Sequence, residues 1–388
     1  MRDNHRDLFS RRRFLQVTSL GAGAAMVSLT EKRYDAFAQD ATPAATPAPS
    51  VFDAAFCYTP LGGAESVKYD AVGKGPFNIA LSNSYIGNVW RTQMIQMAEA
   101  FVKHDDIAPL ISDFQVNSSG TDDAAQIAAI EHMISRGAQA VIVNANTPGG
   151  QVNVLEQARA DGIVVVSFDN IVDSKQVVLV NEDQVEMGRR WAQFLVEQTG
   201  GKGKMLMING VPGTSVDTDR RNGAYEVFKA NSGMSYIEVD GEWDPGKAQT
   251  ATATALASNP DIAGVWCQGG TNGAFQAFLD AGAKLVPFAG EAENGFRKQM
   301  LQYADQFKGL SIGQSPALVC VSIRVALDLL QGNPVPSFVS MPLPSATTAE
   351  LVPGVNVFPD APDNFFTGIQ VPGCGVDLTI EEIEAQKV

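Results

Sequence analysis

The sequence predicts an α/β protein made of two doubly wound parallel-sheet lobes. Three observations lead to this fold class: apolar strands alternate with helical segments from Phe77 onward, the strands are short uninterrupted apolar runs, and 388 residues leave room for about two domains. Uninterrupted apolar strands between helices of about 10–15 residues are typical of parallel sheets covered on both faces. About ten such strands fit two sheets of five or six strands better than one large sheet.

The predicted strands follow one another at regular intervals along the chain. In order they are "FNIALS", "ISDFQV", "AVIV", "IVVVSF", "VVLV", "KMLMIN", "SYIEVD", "AGVWCQ", "KLVPFAG" and "LSIGQ". Between them lie helical periods such as residues 122–135, in which apolar residues recur on one face. A second series of strand–helix units begins after "VVLVNEDQVEMG". The alternation stops after Leu330, so the Pro-rich residues 335–388 are predicted to form crossover strands and a tail that wraps the lobes.

The N-terminus has the features of an export signal. "SRRRFLQ" carries the twin-arginine pattern, a weakly apolar stretch follows at residues 17–29, and "AFA" at residues 36–38 offers a small-x-small cleavage site. Residues 1–38 are therefore predicted to be a twin-arginine signal peptide. Residues 39–75 are predicted to form a Pro/Ala/Thr-rich spacer and N-terminal extension. The apolar stretch is too short to span a bilayer, so no membrane insertion of the mature chain is expected.

The net charge limits the classes of partner that the sequence allows, and the cysteines bear on the cellular compartment. The formal net charge is −15, and it becomes −18 without the first 38 residues, which repels phosphate backbones and argues against a nucleic-acid partner. An exported protein permits disulfides. The four cysteines, Cys57, Cys267, Cys320 and Cys374, allow three pairings; Cys57 and Cys374 lie in the terminal extensions and could join them.

The motifs of common enzyme classes are missing. The loop after the first strand contains only Gly87 and no GxGxxG, and neither GxxxxGK[ST] nor GxSxG occurs in the chain. Beyond the signal, the histidines are His104 and His132, both on predicted helices, and no Cys/His spacing suggests a metal site. The sequence therefore predicts a protein that is not an enzyme and that uses no cofactor and no metal.

Planar hydrogen-bonding groups and aromatic rings follow about seven of the predicted strands instead. An open α/β sheet binds ligands at the carboxyl ends of its strands. Carboxylates and amides exchange hydrogen bonds with vicinal hydroxyls, and arginine offers a rigid fork of donors. The candidate ligand-binding residues are Asn83, Tyr85, Asn88, Trp90, Arg91, Asp169, Asn170, Arg220, Trp243, Gln268, Thr271, Asn272, Glu291 and Gln314. This set predicts a site for a small polyhydroxylated solute.

The order of these features resembles the type I periplasmic binding proteins of ABC transporters, in particular the ribose/galactose-type sugar-binding group. The resemblance covers about residues 76–335 and rests on several matched positions: Asn88 with Trp90, Asp169, the "GTS…RxxG" segment that contains Arg220, Trp243 with Asp244, and the "IGQ" that ends in Gln314. It implies that Arg220 and Gln314 bind ligand. It also implies two lobes joined by a three-crossover hinge, with crossovers near residues 181–185, 313–316 and 335–341.

Two departures from the family pattern fall in the second lobe. Gly269 and Gly270 stand after Gln268 where the family usually has Asn-Asp, so the contacts would have to come from Thr271 or Asn272. The family's "GxD" is replaced by "AGEAENG", which leaves Glu291 as the nearest acid. Both departures leave room for a ligand that is bulkier than ribose or galactose or differently oriented.

The resemblance implies an exported, monomeric solute receptor that captures a sugar or sugar derivative and delivers it to an ABC-transporter permease. Its N-terminal lobe would comprise residues 76–183 and 315–338, and its C-terminal lobe and tail would comprise residues 184–314 and 339–388. Two alternatives stay open: a nucleoside, amino acid or quorum signal as ligand, or a membrane sensor as partner. On this interpretation Trp90→Ala and Arg220→Ala weaken binding and leave the melting temperature of the ligand-free protein nearly unchanged.

Overall fold

The structure, a computed structural model, describes residues 52–388. The predicted signal peptide and residues 39–51 of the predicted spacer and N-terminal extension therefore lie outside the described residues. The helices are Ala54–Cys57 (α1), Val89–Phe101 (α2), Asp123–Ser135 (α3), Val152–Ala160 (α4), Gln184–Thr199 (α5), Ser215–Ala230 (α6), Pro245–Ser258 (α7), Thr271–Asp280 (α8), Asn294–Gln302 (α9), Leu318–Leu330 (α10) and Ile380–Glu384 (α11), with 3-10 turns at Leu61–Gly63, Ala108–Leu110 and Thr348–Glu350. None of the helices in residues 52–388 is both long enough and apolar enough to cross a membrane.

The strands form two large sheets and two small ones. They are Thr59–Pro60 (β1), Ser66–Val67 (β2), Phe77–Asn83 (β3), Ile111–Ser118 (β4), Ala140–Asn144 (β5), Val164–Phe168 (β6), Val178–Glu182 (β7), Gly203–Asn209 (β8), Met234–Asp240 (β9), Ile262–Cys267 (β10), Phe288–Gly290 (β11), Gly309–Ile312 (β12), Val335–Pro336 (β13), Phe338–Met341 (β14), Ser345–Thr347 (β15), Gln370–Val371 (β16) and Val376–Asp377 (β17). The first large sheet has the order β1-β14-β7-β6-β5-β3-β4, and the second has the order β15-β12-β11-β10-β8-β9.

Both large sheets are parallel except at one edge. In the first sheet only β1 runs antiparallel, against β14, and in the second only β15 does, against β12. The central strands β5 and β6 are buried along their whole length because helices cover both faces, which explains their uninterrupted apolar sequences. The first sheet has seven strands, more than predicted, because β1 from the N-terminal extension and β14 extend it.

Polar residues at the strand-to-helix turns start the helices and place side chains at the carboxyl edge of each sheet. Asn88, Asp122, Asp183, Thr214 and Asp244 each accept a hydrogen bond from a backbone N–H of the first turn of the helix that follows. These caps satisfy N–H groups that have no partner within the helix. The turns at Asn88, Thr214 and Asp244 lie next to residues that line the candidate site.

Three crossings connect the two sheets. The chain leaves β7 of the first sheet for α5 of the second lobe, returns from β12 to α10, and leaves again from β14 to β15. The first two crossings coincide with the positions predicted near residues 181–185 and 313–316. The third lies at residues 342–344, beyond the predicted 335–341, because β14 still pairs with β7 in the first sheet.

The tail returns to the first lobe, so the prediction that residues 339–388 belong to the second lobe is wrong for much of this segment. The strand β14 lies in the first sheet. The apolar side chains of Ile369, Val371, Val376 and Ile383 are buried in the hydrophobic core of the first lobe. Burial of this apolar surface against α2 and α10 stabilises the first lobe and explains why the tail crosses back.

A disulfide joins the two terminal extensions. Cys57 of α1 is bonded to Cys374 of the tail, whereas Cys267 and Cys320 are buried free thiols. The bond closes a loop of 317 residues in sequence separation, and a loop of that length strongly restricts the unfolded chain. The extension and the tail are thereby held together on the first lobe.

Replacing both cysteines of this bond by serine is expected to lower the free energy of unfolding by about 2–5 kcal/mol while the chain still folds. Most of the effect comes from the greater conformational freedom of the unfolded chain. Denaturant unfolding of Cys57→Ser/Cys374→Ser beside the wild type under non-reducing conditions measures it. Cys320→Ser is the control for loss of a buried thiol. Equal stability of the double variant and the wild type would contradict the prediction.

Candidate ligand-binding site

The carboxyl ends of both sheets line one cleft between the lobes. About 380 Å³ of space, open solvent included, is not filled by protein atoms in this cleft. Ten of the predicted residues line it, namely Asn88, Trp90, Arg91, Asp169, Asn170, Arg220, Trp243, Gln268, Glu291 and Gln314, together with Val216, Gly269 and Phe366. The structure thus brings most of the predicted set to one place.

Asp169 lies at the centre of the first-lobe wall. Its carboxylate accepts hydrogen bonds from Asn144 Nδ2 at 2.8 Å and Asn170 Nδ2 at 3.0 Å, and it lies 4.0 Å from Arg91 Nη2. Burial raises the pKa of Asp169, and the neighbouring Arg91 cation opposes that rise. The residue has a φ of 58°, a conformation that non-glycine residues rarely adopt and that occurs most often at functional sites.

Arg91 is held by residues that do not line the cleft themselves. Its Nη1 donates to Asn83 Oδ1 at 2.6 Å and to Ser84 Oγ at 2.8 Å, and its guanidinium lies 4.4 Å from the centre of the Tyr85 ring. Asn83 and Tyr85 were predicted as ligand contacts, but the structure makes them supports that orient Arg91. A fixed guanidinium binds a hydroxyl at a lower entropic cost than a mobile one.

Arg220 dominates the second-lobe wall. Only 1% of the Arg220 surface is exposed. Its guanidinium donates hydrogen bonds to Gln184 Oε1 at 2.8 Å, to the backbone carbonyl of Gln268 at 2.9 Å and to Glu291 Oε1 at 2.6 Å. Burial raises the pKa of Glu291, and the charge of Arg220 opposes the rise. Because Arg220 compensates a buried carboxylate, the expectation that its removal leaves the ligand-free protein equally stable no longer holds.

Gln314 connects the two walls. Its side-chain carbonyl accepts from Arg220 Nη2 while its amide nitrogen donates to Asp169 Oδ1. Its backbone N–H donates to Glu291 Oε2 at 3.1 Å, and its carbonyl accepts from Trp90 Nε1 at 3.0 Å. This residue lies on the second crossing, so any relative movement of the lobes strains or breaks these bonds.

Aromatic rings from both lobes flank the polar centre. Trp90 comes from the first lobe and is 93% buried, and Trp243 comes from the second lobe with a φ of 57°. The Trp243 ring lies directly on the backbone of Gly269, where a Cβ would come within 2.8 Å of Trp243 Cδ1. The glycine at 269, a departure from the family pattern, is therefore required by the position of this tryptophan.

The structure places Thr271 and Asn272 away from the cleft lining. The Thr271 hydroxyl is buried and accepts a hydrogen bond from the Glu291 N–H at 3.2 Å. The backbone carbonyl of Asn272 accepts a hydrogen bond from the Gln299 side chain. Both residues are in the first turn of α8, and the Glu293 side chain caps the N-terminus of this helix. The predicted role of Thr271 and Asn272 as replacements for the missing Asn-Asp is not what the structure shows.

Glu293 caps α8 from another segment, because Gly270 at the N-cap position has no side chain that could accept a hydrogen bond. Its two carboxylate oxygens accept the N–H groups of Gly270 at 2.6 Å and Thr271 at 2.7 Å. Burial raises the pKa of Glu293 to about 7, and these N–H groups oppose the rise. Gly270 has a φ of 72° and faces the Asp244 carbonyl closely, which excludes a side chain at this position.

The raised pKa of Glu293 predicts a pH-dependent stability that Glu293→Gln removes. Between pH 4.5 and pH 7 the folded state holds a proton that the unfolded state has released. The stabilisation is therefore complete at the low end and is lost as the pH rises, by up to about 1.4 kcal/mol per pH unit. The advantage of the wild type over Glu293→Gln should shrink across this range in denaturant unfolding. A constant difference would contradict the prediction, and the exposed Glu131→Gln is the control.

Two buried polar atoms of the lining have no hydrogen-bond partner among the described residues. They are Arg91 Nη2, a donor, and Asn170 Oδ1, an acceptor. Leaving such an atom unpaired costs about 1–3 kcal/mol. Arg91 Nη2 can donate a hydrogen bond to a ligand hydroxyl, and Asn170 Oδ1 can accept one from it. Within residues 52–388 no group of three or more His, Cys, Asp and Glu is arranged to hold a metal.

Sequence reasoning missed Val216 and Phe366. Val216 lies in the first turn of α6, next to the segment that supplied Arg220, so its position could have suggested it. Phe366 lies in the tail outside any strand or helix, and no local pattern marks it. Only the course of the tail brings it to the cleft.

Comparison with known proteins places this architecture in a family. The model of the periplasmic binding protein domain matches residues 79–334. The chain belongs to the periplasmic binding protein family. The fold is that of the type I members, with two lobes of parallel sheet, as the resemblance predicted. Family members are binding proteins.

Curated relatives of the chain are named for sugars and a polyol. The ribose import binding protein of Bacillus subtilis is 25% identical over 275 residues, which cover 70% of this chain and 87% of that protein. The D-allose-binding periplasmic protein of Escherichia coli is 31% identical over 150 residues, or 35% of this chain and 48% of that protein. The xylitol-binding protein of Mycolicibacterium smegmatis is 26% identical over 56% of this chain and 64% of that protein.

Solved structures share the fold. An ABC transporter solute-binding protein from Thermobispora bispora is 25% identical with a TM-score of 0.64, over 69% of this chain and 84% of that one. A solute-binding protein from Mycobacterium smegmatis, solved with bound glycerol, is 24% identical with a TM-score of 0.64, over 71% of this chain and 95% of that one.

Proposed function

We propose that the protein captures a sugar or sugar derivative in the cleft between its lobes and delivers it to the permease of an ABC transporter. The observation that carries this proposal is the presence of two buried atoms without a hydrogen-bond partner among the described residues, Arg91 Nη2 and Asn170 Oδ1, in residues that line a cleft flanked by Trp90 and Trp243. Family membership and relatives named for ribose, allose and xylitol support it.

The cleft offers a sugar two kinds of contact. Asp169 and Glu291 accept from hydroxyl groups, while Arg91 and Arg220 donate to them through fixed guanidinium forks. The flat faces of Trp90 and Trp243, from opposite lobes, cover the C–H faces of the ring. A deoxy analogue would leave one of these buried groups unpaired, and the cost of about 1–3 kcal/mol gives the site its selectivity.

Delivery requires that the bound state differ in shape from the open state. The three crossings act as a hinge, and closure buries the sugar between Asp169 of one lobe and Arg220 of the other. The Gln314 side chain forms hydrogen bonds with both residues and lies on one crossing, so the geometry of these two bonds depends on the distance between the lobes. The closed arrangement of the two lobes is the surface that the permease recognises.

We further propose export and a place outside the cytoplasm. The twin-arginine pattern in residues 1–38 carries the folded chain across the membrane, and the mature protein acts as a monomer in the periplasm or at an equivalent extracytoplasmic site. The Cys57–Cys374 bond fits an oxidising compartment. The protein changes no covalent bond of its ligand.

A thermal-shift panel of sugars, polyols, nucleosides and amino acids tests the ligand class. At a concentration one hundred times the dissociation constant, a ligand stabilises the folded protein by about 2.7 kcal/mol. We expect D-ribose, D-allose, xylitol or a related sugar to give the largest rise in melting temperature, and mass spectrometry to recover it unchanged. A rise with nucleosides or amino acids only, or conversion of the sugar, would contradict the proposal.

The partner is tested in cells. Deletion of the gene is expected to abolish uptake of the radiolabelled sugar found in the panel. Loss of a transcriptional response with uptake intact would identify a membrane sensor as the partner instead. A plasmid copy with Arg220→Ala should fail to restore uptake, and the wild-type copy should restore it.

A further inference from the structure

The tail contributes a short segment to the cleft, residues 363–368, which we call the strap. It lies beyond the family match at residues 79–334. On the second lobe it is held by three backbone hydrogen bonds: the N–H groups of Asn294 and Gly295 donate to the carbonyls of Phe365 and Asp363 at 2.8 and 2.7 Å, and the Thr367 N–H donates to Ala292 at 3.1 Å. The strap is thus fixed to the loop and helix that follow β11.

The strap is equally fixed to the first lobe. The Gln93 side chain of α2 forms two hydrogen bonds with the backbone of Phe366, donating to its carbonyl and accepting its N–H, both at 2.8 Å. The Ser315 hydroxyl donates to the Gly368 carbonyl, and Cys374 anchors the following residues to Cys57. Hydrogen bonds on both sides hold the Phe366 backbone beside the cleft.

Phe366 lies between two cavities. We call the candidate cleft the inner cavity; the outer cavity lies beside it and comprises about 620 Å³ that protein atoms do not fill, open solvent included. The outer cavity is lined by the loop of residues 86–89 together with Thr92, Trp243, Asp244, Pro245, Glu293, Asn364 and Phe366. Asn88, Trp243 and Phe366 line both cavities and therefore form the wall between them.

We propose that Phe366 is a specificity-determining residue that closes the inner cleft toward the outer cavity and restricts the ligand to a single sugar or polyol unit without a substituent on that side. This inference rests on the proposed capture of a sugar. Asn88 caps α2 and Trp243 packs on Gly269, whereas the Phe366 side chain comes from a tail segment beyond the family match. Truncating Phe366 would join the cavities and admit a substituent into the space lined by Asp244, Glu293 and Asn364.

Calorimetric titration of Phe366→Ala with a methyl-ether series tests the proposal. The probes are D-ribose, D-allose and xylitol, and, for whichever binds the wild type most tightly, each of its mono-O-methyl ethers. The wild type is expected to bind at least one ether ten-fold or more weakly than the parent compound. In Phe366→Ala that ratio should shrink at least ten-fold, while the parent compound itself binds about ten-fold more weakly because an aromatic wall is lost.

Two further variants keep the result interpretable. Phe366→Leu retains an apolar side chain at this position of the strap and should give an intermediate ratio. Its result therefore tests the proposal even if the alanine variant folds poorly. Phe52→Ala removes a partly buried phenylalanine of the N-terminal extension that lines neither cavity, and it should keep the wild-type ratio. Melting temperatures without ligand are recorded for all variants.

The outcomes separate this inference from the proposed function. Wild-type binding of a parent compound with equal affinity for all its ethers, or an unchanged ratio in both Phe366 variants, would overturn the role of Phe366 and leave sugar capture standing. If the wild type binds none of the three parent compounds, sugar capture fails and the inference fails with it.

Discussion

Replacing Arg220 by alanine is expected to weaken sugar binding at least 100-fold and to lower the free energy of unfolding by about 3–5 kcal/mol. The guanidinium is buried and donates to Gln184, the Gln268 carbonyl, Glu291 and Gln314. Its removal leaves the Glu291 carboxylate buried without a compensating charge, in addition to deleting the ligand contact that we propose for Arg220. Calorimetric titration and denaturant unfolding of the ligand-free protein measure the two effects.

A double variant distinguishes the two roles of Arg220. In Arg220→Ala/Glu291→Gln no uncompensated charge is left, so the stability should recover in part while binding stays weak. Arg189→Ala is the matched control, because Arg189 is also in an ion pair of the second lobe, with Glu186 and Glu226, but is far more exposed. Normal affinity in Arg220→Ala would remove this residue from the site.

Replacing Asp169 by alanine is expected to reduce affinity for the sugar at least 100-fold, since hydrogen bonds to a charged group contribute more than neutral ones. The carboxylate holds the amides of Asn144 and Asn170 and binds Gln314 across the lobes. Its loss also frees these groups from their present positions. Titration calorimetry with the sugar identified in the panel measures the change.

Two companion variants separate the carboxylate from the backbone conformation. Asp169→Gly accepts the φ of 58° without strain, so it should be more stable than Asp169→Ala and bind equally weakly. Asp169→Asn keeps the shape and should lose about ten-fold in affinity. The exposed Asp173→Ala should bind as the wild type does. Tight binding by the glycine variant would show that the carboxylate makes no ligand contact.

Most of the local structure follows from sequence patterns. Runs such as "AVIVN" and "VVVSF" predict buried parallel strands because only apolar side chains fit between two helical layers. Asn88, Asp183 and Thr214 mark helix starts because their side chains accept the free N–H groups of the first turn. Since parallel strands carry such turns at the same edge, the sequence also predicts that the residues after them converge.

The roles of individual residues depend on distances that no local pattern contains. Asn83 and Tyr85 have the chemistry of ligand contacts, and only the fold shows that they hold Arg91 instead. Gly269 and Gly270 replace the Asn-Asp pair of the family pattern, and only the packed structure shows the Trp243 ring on Gly269 and Glu293 bound to the N–H of Gly270.

The sequence by itself determined the alternation of strands and helices, the two lobes and the polar residues at the strand ends, because these features depend on hydrophobic periodicity and on caps within a few residues. The tertiary structure decided where the tail goes. Its apolar residues pack on the first lobe, its backbone binds the second, and Phe366 reaches the cleft between them. The path of the tail depends on apolar burial and hydrogen bonds between residues that are hundreds of positions apart in the sequence. Patterns within a few neighbouring residues do not predict such contacts.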